Sequence, residues 1–322
     1  MPEGDVVHRA ATRLHAALAG EVLLGSDLRW PSLATVDLSG RPVLEVVSVG
    51  KHLLMRLGTA REETPDGRLA GQERALTLHS HLRMEGSWHL HRPAEAFVSR
   101  PVEGVRAVLT TQPWVAVGHR LGMLDLLPTS REHELVGHLG LDVLGARWNP
   151  AEAADRLRAD PDRSVGEALL DQRVLAGVGT FYMSEALFLI GTTPWSPVRQ
   201  VPDLDRLVDL LHRLLSQGAT RAVQATTGDL RPGRRNYVHA RAGRPCLRCG
   251  STVQVEMIGP APQDRTSFFC PVCQVGERPA PGSTTTPLQR VRGYPARRVR
   301  YTQPGAGGGV RQRRPGRRSP GR

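Results

Sequence analysis

Between two helical stretches the chain reads Gln172-Arg173-Val174-Leu175-Ala176-Gly177-Val178-Gly179. Apolar residues at three- and four-residue spacing in Val165–Leu170 and Thr180–Leu189 predict a helix on each side. The glycines mark a tight turn between them. Such a turn can aim backbone N–H groups at a phosphate, because the next helix starts with unpaired donors and a partial positive charge. The same residues also suit a plain helix–helix connection, so both readings stand at this point.

Moving outward, the helical period continues in Glu132–Leu139, Pro150–Arg158 and Leu204–Ala225. Near the start, Val6, Val7, Ala10, Ala11, Leu14, Ala17 and Leu18 form one apolar stripe, which predicts a helix with Asp5 as N-cap and Gly20 as its stop. Residues 21–128 change period. Short β segments follow one another at Glu21–Leu24, Pro42–Val49, His52–Leu57, Leu76–His81, Gly86–His91, Arg106–Thr110 and Trp114–Val117, and they predict a sandwich or barrel. The acidic, Gly-containing stretch 58–74 reads as a loop. His79, His81, His89 and His91 alternate along two of these strands, as polar strand faces would, and a second metal site is the weaker reading.

All four cysteines lie in Cys246-Leu247-Arg248-Cys249 and Cys270-Pro271-Val272-Cys273. Two C-x2-C pairs at this separation suit a tetrahedral Zn2+ site of four thiolates, one structural ion at the base of a hairpin. Disulfides are the alternative, and they are rare in a reducing compartment. Arg265 sits on the intervening hairpin, followed by two aromatics that would pack it. In a basic region, such an arginine suits a phosphate contact better than a free surface charge.

The 322 residues hold 43 Lys+Arg and 31 Asp+Glu, a formal net charge of +12. The charge is unevenly placed. Residues 279–322 carry 11 Arg and no acid, so residues 1–278 are nearly neutral and recognition must rest on a few placed cations. The Pro-, Gly- and Arg-rich end lacks the apolar residues for a core and is expected to be a disordered basic tail that adds non-specific affinity for nucleic acid. Lys51 is the only lysine. That fits either a codon bias towards Arg or a site that needs an amine, since an amine loses its proton when desolvated and a guanidinium does not. No apolar run approaches the ~18 residues of a membrane span, and the first residues lack the pattern of a secretory signal. A cytoplasmic protein is expected.

Six motifs in order resemble the formamidopyrimidine-DNA glycosylase and endonuclease VIII group of base-excision repair enzymes. They are Pro2-Glu3-Gly4, Gly50-Lys51-His52-Leu53-Leu54, His81-Leu82-Arg83-Met84-Glu85-Gly86, Leu139-Gly140-Leu141-Asp142-Val143-Leu144, the Asp171–Gly179 turn with Tyr182–Phe188, and Arg265–Gln274. The resemblance covers residues 1 to about 276. It implies an α+β multidomain protein: an N-terminal helix with a β-sandwich (1–128), a helix-two-turn-helix domain (129–232), a β-hairpin zinc finger (233–278) and the tail (279–322). The opening Pro-Glu-Gly leans towards endonuclease VIII and hence oxidised pyrimidines. An oxidised-purine glycosylase of the same family, or a non-catalytic zinc-ribbon DNA-binding protein, are the alternatives.

By this resemblance, removal of Met1 would free the Pro2 amine to attack C1′ of the sugar. Glu3 would act as general acid and base, and Lys51 would assist base release and elimination. Arg265 would hold the phosphate beside the lesion. The implied partner is damaged double-stranded DNA, bound one duplex per monomer. Met84 is the expected plug for the gap left by an extruded base, with Leu121 a second wedge on the Arg120 loop, and Arg173, Gly179 and Thr180 form a second phosphate clamp. Two departures are visible. Thr180 stands where the family usually has Asn, and Val117–Gly122 only loosely resembles the family's Arg-Arg-Phe-Gly loop.

Overall fold

The computed structural model describes residues 2–60, 75–93 and 103–279. Most of the expected 58–74 loop, and all of the expected tail after its first residue, lie outside the described residues. These hold six α-helices and twelve strands, a mixed α and β fold.

Helix α1 (Gly4–Leu18) buries Val7, Ala11, Leu14 and Leu18 along one face, and the chain leaves it through Gly20 in the left-handed region, as the apolar stripe predicts. The expected cap is one element of local structure that differs. Glu3 occupies the N-cap position and Asp5 lies inside the first turn. Asp5 is buried because its carboxylate accepts the Tyr182 hydroxyl at 2.8 Å and the Gln224 amide at 3.0 Å. Those partners come from elements far along the chain.

Strands β1 (Gly25–Leu28), β6 (Val105–Thr110), β7 (Val115–His119) and β5 (Ser87–His91) form one antiparallel sheet in that order. The other has the order β2 (Val43–Val49), β3 (His52–Leu57), β4 (Leu76–His81), β8 (Met123–Pro128). One core joins both sheets and α1, with Leu53, Met55, Leu78 and Leu124 meeting Trp88, Ala107 and Leu109. Each fully buried Leu or Met side chain here contributes about 1.5–3 kcal/mol. The Trp88 indole N–H donates to Ser80 Oγ at 3.0 Å, tying β5 to β4 inside that core.

Strand β8 has no counterpart in the sequence reading. Arg120, at φ 46°, makes the turn by which the chain leaves β7 in one sheet for β8 in the other, and that conformation is usually signalled by glycine. Leu121 follows it into the core with 3% exposure and contacts the Gly118 backbone. This corrects the expectation of Leu121 as a wedge: a side chain packed in the sheet core is not presented to DNA. His79 lies on the face of β4 opposite Leu78, where Asp125 and His52 partner its ring, and it is fully buried there.

Helices α2 (His133–Val136), α3 (Pro150–Arg158), α4 (Val165–Leu170), α5 (Thr180–Ile190) and α6 (Leu204–Thr220) follow. Helix α3 starts under Asn149, whose side chain accepts the Ala151 N–H at 3.0 Å, with Pro150 in the first turn. Strands β9 (Leu141–Asp142) and β10 (Leu175–Ala176) pair in parallel and bring the residues before α3 onto the turn before α5. A second core forms around α5 and α6, and it receives Ile258 from the hairpin β11 (Gln254–Ile258) and β12 (Arg265–Phe269). No described helix is long and apolar enough to cross a membrane.

Candidate active site

Pro2 and Glu3 lead directly into α1, and the Gly4 N–H donates to Gly177 O at 2.9 Å, which seats the chain start on the Gly177–Gly179 turn. Glu3 is 1% exposed. Its carboxylate accepts the N–H of Gly179 at 2.9 Å and of Phe181 at 2.7 Å, so it caps α5 rather than its own helix. A Cβ on Gly179 would lie 2.4 Å from Glu3 Cδ, so only glycine admits the carboxylate this close. The turn's amide is therefore committed to Glu3, which corrects the expectation that Gly179 offers it to a phosphate.

Lys51 stands at the tip of the β2–β3 hairpin beside Gly50, which adopts φ 58° and packs against Ala176. The Gly50 N–H donates to Asp142 Oδ2 at 2.9 Å, and Lys51 Nζ donates to Val178 O at 2.6 Å. Gln172 shapes the acceptor from the other side, donating to Val178 O at 2.9 Å and accepting the Gly177 N–H at 3.0 Å. Burial pushes the Glu3 carboxyl up, and the nearby Lys51 ammonium opposes it. Burial pushes the Lys51 amine down, Glu3 opposes this, and the Arg265 guanidinium adds to it. A carboxyl and an amine displaced towards their neutral forms within one buried site suit proton transfer.

Arg265 is exposed at the start of β12 and donates to the carbonyls of Gln263 at 2.6 Å and Asp264 at 3.0 Å. A cleft of about 400 Å3 has Arg163, Arg173 and Arg265 on its walls, joining the helical turn to the hairpin. Arg173 is itself held by the Asp171 carboxylate at 3.0 Å, and the pair keeps Asp171 well below the usual carboxylate range. Thr180 is buried, and its hydroxyl has no hydrogen-bond partner among the described residues.

Met84 is 49% exposed on the turn after β4. That turn is held by His81 Nδ1, which accepts the Arg83 N–H at 2.9 Å, and by the Arg120–Glu85 ion pair at 2.6 Å. Met84 and Arg120 thus share one protruding edge, while Leu121 is turned inward.

The Sγ atoms of Cys246, Cys249, Cys270 and Cys273 lie within 4.8 Å of one another. Cys246–Cys273 are 3.9 Å apart and Cys249–Cys270 3.5 Å, far beyond an S–S bond of about 2.05 Å. Four thiolates around an ion at about 2.3 Å would stand about 3.8 Å apart, so this set fits a tetrahedral metal ion. Cys246 and Cys270 also pack with Phe188, Val238 and Phe268, which couples the cluster to α5.

Several residues of this site were not singled out by the sequence: Asp142, Gln172, Glu185 and His239. Asp142 lies inside a quoted motif, and a lone acid in an apolar strand was its available signal. Glu185 accepts the N–H groups of Tyr237, Val238 and His239 at 2.8 Å each, fixing the segment that leads to the cysteines. His239 is set between Phe181 and Phe268, and burial holds its imidazole down at about 4.

Residues 1–173 match the family model described as the formamidopyrimidine-DNA glycosylase N-terminal domain. A probable endonuclease 8 of Streptomyces coelicolor is 50% identical over 88% of this chain and 98% of its own length. The DNA-(apurinic or apyrimidinic site) lyase Nei2 of Mycolicibacterium smegmatis is 43% identical over 85% of this chain and 99% of its own. The Lactococcus lactis Fpg bound to N7-benzyl-Fapy-dG DNA shares the fold, with a TM-score of 0.65 at 21% identity over 85% of this chain and 99% of that one. With the family model matching residues 1–173 and relatives 40–50% identical over 85–88% of its length, the chain belongs to the formamidopyrimidine-DNA glycosylase and endonuclease 8 family.

Proposed function

We propose that the protein is a bifunctional DNA glycosylase and AP lyase of base-excision repair, acting on oxidised bases with pyrimidines favoured. The observation that carries this reading is the meeting of the chain start, Glu3 and Lys51 on one turn. The identities of 40–50% to proteins named endonuclease 8 or Nei2, against 29–32% to those named formamidopyrimidine-DNA glycosylase, support the pyrimidine preference.

In this mechanism the Pro2 secondary amine, free after loss of Met1, attacks C1′ and the bond to the base breaks. An α-amino group with a pKa near about 7.7–8.0 keeps a useful fraction neutral and nucleophilic at working pH. Glu3 delivers a proton to the opening sugar, and the resulting iminium acidifies the C2′ proton. Loss of that proton expels the 3′ phosphate, and a second elimination expels the 5′ phosphate. Lys51 assists base departure and elimination, and Arg265 holds the flanking phosphate. Met84 fills the gap left by the extruded nucleotide, with Arg120 beside it, while Arg173 supports the backbone; the Thr180 hydroxyl is buried beneath that surface.

The parts divide as a catalytic β-sandwich (1–128), a helix-two-turn-helix domain (129–232) and a zinc finger (233–278). The four cysteines would hold one structural Zn2+, which supplies rigidity to the hairpin bearing Arg265. The experiment is borohydride trapping on thymine-glycol and abasic duplexes. Wild type should form the covalent adduct and a protein with Met1 retained should not; undiminished trapping by the blocked protein would refute Pro2 as nucleophile.

A further inference from the structure

The face of β3, β4 and β8 turned away from the core carries a line of polar groups that the mechanism above leaves unused. His79 is fully buried, and both its ring nitrogens have partners. Nδ1 meets Asp125 Oδ2 at 2.9 Å, and Nε2 meets His52 Nδ1 at 2.9 Å. The rings of His52 and His79 are tilted by only 22° with centroids 5.1 Å apart, so the contact lies close to both ring planes, where an N–H points at a lone pair.

The tautomers follow from the chemistry of the ends. A carboxylate only accepts, so His79 donates from Nδ1. Burial lowers the His79 pKa, leaving its Nε2 as an acceptor, and His52 must then donate from Nδ1. The other groups facing this line are His81, edge-on to His52 at 5.0 Å, His138 at 6.3 Å, Lys51 and Arg83. His52 is held neutral, down at about 3, first by burial and then by its neighbours.

We propose that Asp125 and His79 are positioning residues that lock the His52 ring and, through it, the Gly50–Lys51 turn that aims the Lys51 amine. His52 directly follows Lys51 and opens β3, so a fixed ring there removes the freedom of the hairpin tip on its strand side. The Gly50–Asp142 bond restrains the other side. Asp125, half-exposed on β8, can be altered without opening the core. The inference rests on the reading of Lys51 as the assisting amine.

The test uses the full chain on an oxidised-pyrimidine duplex, with single-turnover rates, duplex Kd and Tm measured together. Asp125→Ala should slow cleavage about tenfold with Kd and Tm unchanged, as expected when a reacting group is misaligned. Asp125→Asn and His79→Gln, which can still accept and relay, should stay within about twofold. In a Lys51→Ala background, Asp125→Ala should add no further loss, because both changes act on one group. A wild-type rate for Asp125→Ala, equal loss in Asp125→Asn, or an unchanged factor of loss without Lys51 would each overturn the relay. A fully active Lys51→Ala protein would instead remove the reading of Lys51, and the relay with it.

Discussion

Glu3 accepts the backbone N–H of Phe181, 178 residues further along the chain, at 2.7 Å. A carboxylate at a helix N-terminus is stabilised by unpaired donors and by the helix dipole, yet here burial raises its pKa. Backbone donors thus anchor the acid while burial favours its neutral form. Two elements that share no local sequence thus define one site.

The closeness of Gly179 to Glu3 makes the first prediction. Gly179→Ala keeps an extended backbone that alanine tolerates, but its Cβ would lie 2.4 Å from Glu3 Oε1 and displace the carboxylate. Base excision in single turnover should fall by about 100-fold, with the fold retained by circular dichroism. Excision within twofold of wild type would show that the carboxylate position does not matter.

Met84 and Leu121 should separate cleanly. Leu121→Ala removes a buried side chain and should cost about 2–5 kcal/mol in denaturant unfolding. Met84→Ala, at an exposed site, should leave unfolding unchanged while weakening excision from duplex more than from single-stranded substrate. The reverse pattern would place the wedge at Leu121 after all.

The cysteine cluster predicts one zinc per chain. Chelation, or Cys246→Ser, should release that ion and abolish strand cleavage, with the helical and sheet signals largely kept because the cluster has its own small core. A chain that binds no zinc when fully active would contradict the assignment.

Histidine burial sets a pH dependence of stability. His52 is held at about 3, and His81 and His239 at about 4, against 6.5 when unfolded. Between those values the unfolded chain binds more protons, so stability is fully present above the unfolded pKa and is lost as pH falls towards the folded values. The raised carboxyls of Glu3, Asp5, Asp142 and Glu185 act in the opposite sense. Comparison with a variant isolates the histidine contribution. The fall in Tm from about pH 7.5 to about pH 5 should be smaller in His52→Gln than in wild type. Identical slopes would refute the shift at His52.

Much was legible from residue order. Periodicity placed Pro150–Arg158, Val165–Leu170, His52–Leu57 and Leu76–His81 at their observed bounds, because side-chain spacing along one element is a local property. Two C-x2-C pairs located the four-cysteine cluster for the same reason, since ligand geometry constrains short stretches of chain. The residue types suited to the chemistry, Glu3, the single Lys51 and Arg265, were visible as well. Only the tertiary structure decided which backbone amides Glu3 would take, that Leu121 turns inward, and that Asp142 and His79 stand behind the lysine hairpin. Those outcomes depend on strand pairings and helix contacts between distant segments, and on which polar atoms lose their water when the segments meet.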